Sequence, residues 1–79
     1  MKHIDQAPTN WRSGYVLARI RLVPGFAPQG TQEGSLVRVR RGIVHPKSRK
    51  VLAAIVKFPG QRGSKNVRMS TFREHFAIV

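Results

Sequence analysis

The sequence predicts a small all-β domain of five short strands, with one helical turn before the last strand. Two observations support this class: apolar and polar residues alternate with a period of two along several segments, and clusters of glycine and proline separate those segments. We find no convincing amphipathic helix. A chain of 79 residues predicts one domain with a small core, because a domain of this size buries only about 60% of its unfolded surface.

The first strand and the long loop after it are predicted between residues 15 and 35. Tyr15–Val23 alternates with a period of two and is bracketed by glycine and proline, which is typical of a strand. One face carries Val16, Ala18, Ile20 and Leu22, and the other carries Tyr15, Leu17, Arg19 and Arg21. Pro24–Ser35 contains two prolines and three glycines and is predicted to be a loop. We expect Phe26, its one large apolar residue, to pin this loop to the core.

A basic β-hairpin is predicted in the middle of the chain. Leu36–Val44 alternates as a second strand. Val37, Val39 and Ile43 face one way, and Leu36, Arg38 and Arg40 face the other. Residues 45–48 form a turn in which Pro46 presets the backbone of the second position. Lys50–Phe58 is the third strand, and its segment Val51–Val56 is apolar on both faces, which predicts a central position in the sheet.

The last part of the chain is predicted to hold a loop, two short strands and a helical turn between them. Pro59–Lys65 is a basic, glycine-containing loop. Asn66–Met69 is the fourth strand, with Val67 and Met69 facing inward and Arg68 outward. Thr71 and Glu74 have capping-box spacing, which predicts one helical turn over Thr71–His75, followed by a final strand at Ala77–Val79.

Residues 1–13 are predicted to form a flexible N-terminal arm, and residues 14–79 the single domain. Pro8, Thr9, Asn10 and Ser13 disfavour regular structure in the arm. Trp11 either caps one end of the core or stacks on a base as an exposed residue. We favour the first interpretation, because aromatic side chains dominate small cores.

The order of these elements resembles that of SH3-like small barrels. The resemblance covers residues 14–79, with Pro24–Ser35 as the long first loop and Thr71–His75 as the single turn before strand five. It implies a closed or nearly closed five-stranded barrel. Such closure removes the free sheet edges that a short β protein must otherwise protect.

Three groups of proteins offer comparisons within this class. The segment Gly34–Arg40 is similar to the basic opening strand of KOW-type RNA-binding modules. In length and layout the chain also resembles the short plasmid-borne type II dihydrofolate reductases. Their active-site segment reads Val-Gln-Ile-Tyr where this chain has Val-Arg-Met-Ser at residues 67–70, so the resemblance does not extend to folate chemistry. The small, Arg-rich chain with the ending Ser70–Phe76 resembles accessory proteins of phages and plasmids.

The net charge is the strongest indication of function. The chain has 15 Lys+Arg and 3 Asp+Glu, a formal net charge of +12 and a pI of about 12.0. Residues 35–79 hold eleven basic residues and one acidic residue, Glu74. Like charges at this density repel one another unless a polyanion relieves the repulsion. Nucleic acid is the commonest such polyanion.

The sequence does not support catalytic, metal or cofactor chemistry. General acid–base catalysis needs two neighbouring carboxylates, whereas Asp5 lies in the arm, Glu33 in a loop, and Glu74 is assigned to the helix cap. The chain has no cysteine, and its histidines at positions 3, 45 and 75 lack ligand spacing. Gly60–Lys65 lacks the phosphate-loop pattern. We therefore expect no cofactor, no metal and no enzymatic activity.

The basic residues that carry the predicted function lie on the second strand, on the hairpin and after the third strand. Arg38 and Arg40 alternate with apolar residues and emerge on one face, where guanidinium groups bind phosphate oxygens at two points. The candidate nucleic-acid-binding residues are Arg38, Arg40, Arg41, Lys47, Arg49, Lys50, Arg62, Lys65 and Arg68. The phenylalanines at 58, 72 and 76 fit the core, so we expect phosphate-led binding with low sequence specificity.

We therefore predict a non-enzymatic protein that binds DNA or RNA. The alternative is a small phage- or plasmid-type regulator that binds an acidic host protein, such as a polymerase or nuclease, through the same charge. No signal peptide is visible, and the longest apolar run, Val51–Val56, is too short to span a bilayer. We expect a cytoplasmic location and no membrane partner.

Overall fold

The computed structural model describes residues 14–79, so the predicted arm and the two interpretations of Trp11 lie outside the described residues. The strands and the helix are β1 (Val16–Ile20), β2 (Leu36–Val44), β3 (Val51–Lys57), β4 (Lys65–Arg68), α1 (Met69–His75) and β5 (Phe76–Ile78). The predicted all-β class, with five strands and one short helix before the last, is confirmed.

All five strands pair antiparallel in one sheet, in the order β4-β3-β2-β1-β5. The middle strand is therefore β2, and β3, predicted to be central, lies between β2 and β4. Helix α1 runs directly from β4 to β5, the two edges of the sheet. Seven helical residues span only about 10 Å, so α1 brings the end of β4 close to the start of β5.

One face of the sheet packs on a hydrophobic core formed by residues of the described range 14–79. Along β1 the burial alternates residue by residue, as the period of two predicts. Four phenylalanine rings connect the elements around this core. The Phe26 ring meets Phe58 edge-on at 6.2 Å, Phe58 lies 6.4 Å from Phe76, and Phe76 stacks on Phe72 at 5.0 Å between centroids. The long β1–β2 loop is thus held to the core by Phe26, as predicted.

A bulge in β2 changes which side chains face the core after Arg41. The strand pairing shifts register between Arg41 and Ile43 and again between Ile43 and Val44. One extra residue in a strand reverses the alternation beyond it. The prediction that Ile43 faces inward is therefore wrong: 58% of its surface is exposed, and Val44 packs against the core instead. A glycine at position 42 allows β3 to approach closely at the bulge, since a Cβ there would lie 3.0 Å from the Ala53 carbonyl oxygen.

Two further predictions about burial and capping are corrected. Leu52 belongs to the run that is apolar on both faces, from which burial is expected, but it is 48% exposed. Helix α1 begins at Met69, two residues before Thr71, and no side-chain hydrogen bond caps it. Thr71 and Glu74 both lie inside the helix, so the predicted capping box is wrong. Burial of Met69 and Phe72 on the core anchors α1 instead.

The end of α1 is tied to the segment that follows β1. The backbone N–H groups of Arg21 and Leu22 donate to the His75 carbonyl oxygen, at 2.7 and 3.3 Å. The His75 Nδ1–H donates in return to the Leu22 carbonyl oxygen at 2.8 Å. These bonds supply partners for groups at the end of the helix that have none within it. Within residues 14–79, no helix has the length and apolar character needed to cross a membrane.

Candidate nucleic-acid interface

The outer face is the side of the sheet that turns away from the core. In β2, Arg38 and Arg40 are exposed on this face, and the alternating Val37 and Val39 are buried on the other. The two predicted guanidinium groups therefore emerge on one side of the middle strand. Because β2 has a partner strand on each side, the two arginines lie near the centre of the outer face.

Arg38 is directly opposite a second cation that the sequence did not single out. In the β2–β3 ladder Arg38 pairs with Lys57, and in the β1–β2 ladder it pairs with Leu17. Residues directly opposite one another in an antiparallel pair have neighbouring side chains on the same face, and like charges there destabilise the sheet. Arg38 and Lys57 thus form a pair of positive charges that an anion placed between them would stabilise.

Arg40 is associated with an exposed aromatic ring. Its guanidinium carbon lies 5.5 Å from the centroid of the Tyr15 ring, a cation–π contact. Tyr15 immediately precedes β1 and is 42% exposed. The sequence placed Tyr15 on the same face of β1 as Leu17 and Arg19, but its position beside Arg40 depends on the pairing of β1 with β2.

Apolar side chains lie among these cations on the outer face. Leu17 and Leu36 are 48% and 39% exposed. They line a cavity of about 360 Å³ together with Arg38 and Lys57 and with the Pro59–Gly60 turn after β3. The outer face at this end is therefore a shallow apolar groove that includes two positive charges.

The hairpin tip carries the second group of predicted residues. Lys47, Arg49 and Lys50 are all exposed in the turn between β2 and β3. The turn is ordered by His45, whose Nδ1 accepts backbone N–H groups of Lys47 at 3.2 Å and Ser48 at 3.1 Å. Arg49 takes the left-handed conformation with φ 63°, which completes the turn.

A second cleft lies between this hairpin and the start of α1. Its volume is about 530 Å³, and its lining includes Lys50 of the hairpin, Arg68 of β4 and Arg73 of α1. Exposed Ile43 and Leu52 also line it. The structure thus brings two predicted residues, Lys50 and Arg68, to one cleft, and it adds Arg73 to them.

The remaining predicted residues are divided between the ends of the sheet. Arg62 and Lys65 are exposed in the β3–β4 loop and at the start of β4, at the Lys57 end of β3. The hairpin lies at the other end, about 20 Å away along the seven residues of β3. The two basic loops therefore lie at opposite ends of the strands that carry Arg38 and Arg40.

Arg41 does not join the outer face. It is half-buried and pairs with Ala54, and as the neighbour of Arg40 its side chain leaves the strand on the opposite side. Arg41 also interacts with other groups of the protein. Its inclusion among the predicted binding residues is not supported by this geometry.

None of the strands within residues 14–79 carries a carboxylate side chain. Between residues 14 and 79 the two acidic residues are Glu33, exposed in the β1–β2 loop, and Glu74, which lies on α1 with its Oε2 3.8 Å from His75 Nε2. Over the same range, no three His, Asp or Glu side chains are grouped as metal ligands would be. Every charged side chain on the described strands is accordingly basic.

Comparison with protein-family models, with curated proteins and with solved structures gives no match to this chain. The relationships to SH3-like and KOW-type modules therefore stay predictions from element order and from the segment Gly34–Arg40. The charge and the geometry of the outer face are the basis for a functional proposal.

Proposed function

We propose that the protein binds nucleic acid through the outer face of its sheet, and that this role is one of binding rather than catalysis. The observation that carries the proposal is the pair formed by Arg38 and Lys57, directly opposite each other on adjacent strands. Arg40, one step further along the same face, supplies a third positive charge.

The arrangement favours an anion with several regularly spaced charges. Two cations held in register by a β ladder repel each other in the free protein, so binding of phosphates between them relieves an existing repulsion. Each neutralised phosphate also releases condensed counterions into solution, which favours association at low salt. The strands of the described chain carry no acidic side chain that would compete for these cations.

Contacts from both ends of the sheet would extend the same surface. Arg62 and Lys65 lie at one end, and the hairpin tip with Lys47 and Arg49 lies at the other. Contacts to phosphates hold a protein in position on nucleic acid without reading its sequence, so we expect low sequence specificity. Cellular nucleic acid is located inside the cell. The proposal therefore implies a cytoplasmic location.

A salt titration of two charge-matched variants tests the proposal. The first is Arg38→Ala with Arg40→Ala, and the second is Lys2→Ala with Arg12→Ala, two basic residues that the proposal does not include. Fluorescence anisotropy with labelled DNA and RNA would give Kd between about 50 and 200 mM salt. We expect the outer-face variant to lose about tenfold or more in affinity, since each lost charge-assisted hydrogen bond has an effect of this order. Its slope of log K against log salt should fall by about 1.5 to 2.

The Lys2→Ala with Arg12→Ala variant removes the same formal charge from residues outside the proposed binding set, and it measures the general electrostatic contribution. Equal losses in the two variants would show diffuse attraction without an organised face. Undetectable binding of the unmodified protein to both DNA and RNA at about 50 mM salt would reject the proposal. An acidic protein partner would then be the better explanation of the charge.

A further inference from the structure

We infer that the outer face binds single-stranded nucleic acid in preference to duplex, with unpaired bases packed on Tyr15 and in the groove beside Leu17 and Leu36. The inference rests on the proposed function and names its substrate class. The outer face has exposed apolar side chains that contacts to phosphates would leave unused.

Exposed apolar groups are placed among the cations. Tyr15, Leu17 and Leu36 expose 42%, 48% and 39% of their surface on the face that carries Arg38 and Arg40. A duplex would present mainly phosphates and sugars to this surface and leave these side chains without apolar partners. Bases of a single strand have exposed π-faces, which pack on aromatic and apolar side chains.

The groove provides a place for one such base. Its volume of about 360 Å³ lies at the lower end of the range for small-molecule sites. Leu17 and Leu36 supply apolar contact, and Arg38 and Lys57 line the same cavity. A base inserted there would therefore have its own phosphate within reach of two cations, which matches the charge pattern of a nucleotide.

Tyr15 provides a second position close to the first. It is two residues before Leu17, about 7 Å along the strand direction. In the free protein the Arg40 guanidinium lies over its ring at 5.5 Å. An exposed cation–π contact is weaker than base–aromatic stacking, so a base can replace Arg40 on the ring. The released guanidinium is then free to bind a phosphate, or to stack on the base itself.

Three probes of equal length separate base contacts from phosphate contacts. They are a 12-nucleotide oligo-dT, an abasic oligomer with the same phosphates, and a 12-base-pair duplex, each measured by anisotropy at the same salt concentration. A stacked base contributes about 5- to 150-fold in affinity. We expect oligo-dT to bind at least fivefold more tightly than the abasic oligomer and more tightly than the duplex.

Three variants assign the preference to residues. Tyr15→Ala and Leu17→Thr should bring the affinity for oligo-dT close to that for the abasic oligomer, and Tyr15→Phe, which keeps the ring, should retain most of the preference. Both positions are exposed, so circular dichroism should show unchanged folding.

The outcomes distinguish this inference from the proposed function. Equal affinities for oligo-dT and the abasic oligomer, or tighter binding of the duplex, would overturn the single-strand inference and leave phosphate-led binding intact. If Tyr15→Phe also loses the preference for oligo-dT over the abasic oligomer, the aromatic ring does not cause that preference. This result would overturn base stacking at position 15. Absence of binding to all three probes would reject the proposed function itself.

Discussion

Consecutive residues of β2 lie on opposite faces of the sheet, and the two faces differ in burial and charge. Val37 and Val39 are almost fully buried in the core, and Arg38 and Arg40 are exposed among cations, an aromatic ring and two leucines. At Val37 and Val39 the inner face is apolar and buried. The outer face has apolar groups too, but these remain exposed and alternate with positive charges.

This difference indicates which residues determine stability and which determine binding. On the inner face a change in side-chain volume alters packing directly, because protein interiors have crystal-like density. On the outer face a truncated side chain is replaced by water, so stability should change little. Substitutions on the two faces should therefore separate folding from function, even at neighbouring positions.

The largest effect is expected from Ile20→Ala on the inner face of β1. Ile20 is 1% exposed and pairs with Phe76 of β5. Replacing a buried isoleucine with alanine lowers the free energy of unfolding by about 2–5 kcal/mol. This loss is a large part of the total stability of a small domain. Chemical denaturation followed by circular dichroism measures this loss.

Leu17→Ala is the matched control in the same strand. It removes an aliphatic side chain from the outer face, where Leu17 is 48% exposed, and should lower the free energy of unfolding by less than about 1 kcal/mol. Similar losses at positions 17 and 20 would mean that the two faces of β1 are packed alike, against the structure described above.

An intermediate effect is expected from Gly42→Ala at the bulge between the two parts of β2. The added Cβ would lie 3.0 Å from the Ala53 carbonyl oxygen and 3.2 Å from Ile55 Cγ1. Overpacking of this kind destabilises by about 1–3 kcal/mol, which thermal unfolding would detect as a lower Tm.

Gly63→Ala is the control for this prediction, since its added Cβ has no atom of the described residues within 4 Å. It should leave the free energy of unfolding unchanged or raise it slightly, because alanine restricts the unfolded chain. An equally mild effect at position 42 would show that β2 and β3 can separate without loss and that the bulge does not depend on glycine.

The smallest effect on stability is expected from the outer-face variant Arg38→Ala with Arg40→Ala. Removal of charges that repel Lys57 and one another should leave Tm within about 4 °C of the unmodified protein or raise it, most visibly at low salt. A marked fall in Tm would show that the two arginines stabilise the fold. Binding and stability would then depend on the same residues of the outer face.

Much of the fold follows from local patterns in the sequence. The alternation of Val16, Ala18 and Ile20 identifies the inner face of β1, and that of Val37 and Val39 identifies the inner face of β2, because the side-chain period of a strand is two wherever pairing is regular. Proline and glycine mark the loops. The one helical segment was located correctly, although its start was not.

The incorrect predictions concern features that depend on a partner strand. Ile43 faces outward because the bulge at Gly42 reverses the alternation, and the bulge is defined only against β3. The spacing of Thr71 and Glu74 fits a capping box, but neither residue caps α1. The helix begins earlier, at Met69, which is buried. Tertiary packing overrides weak local preferences in such short elements.

The sequence by itself determined the charge of the protein, its all-β class and the exposure of Arg38 and Arg40. Only the tertiary structure decided which groups lie beside them: Lys57 and Leu17 flank Arg38, and the Tyr15 ring lies under Arg40. The physical reason is the range of the interactions. Alternation is a property of neighbours along the chain, whereas register is set by pairing between strands that are far apart in sequence.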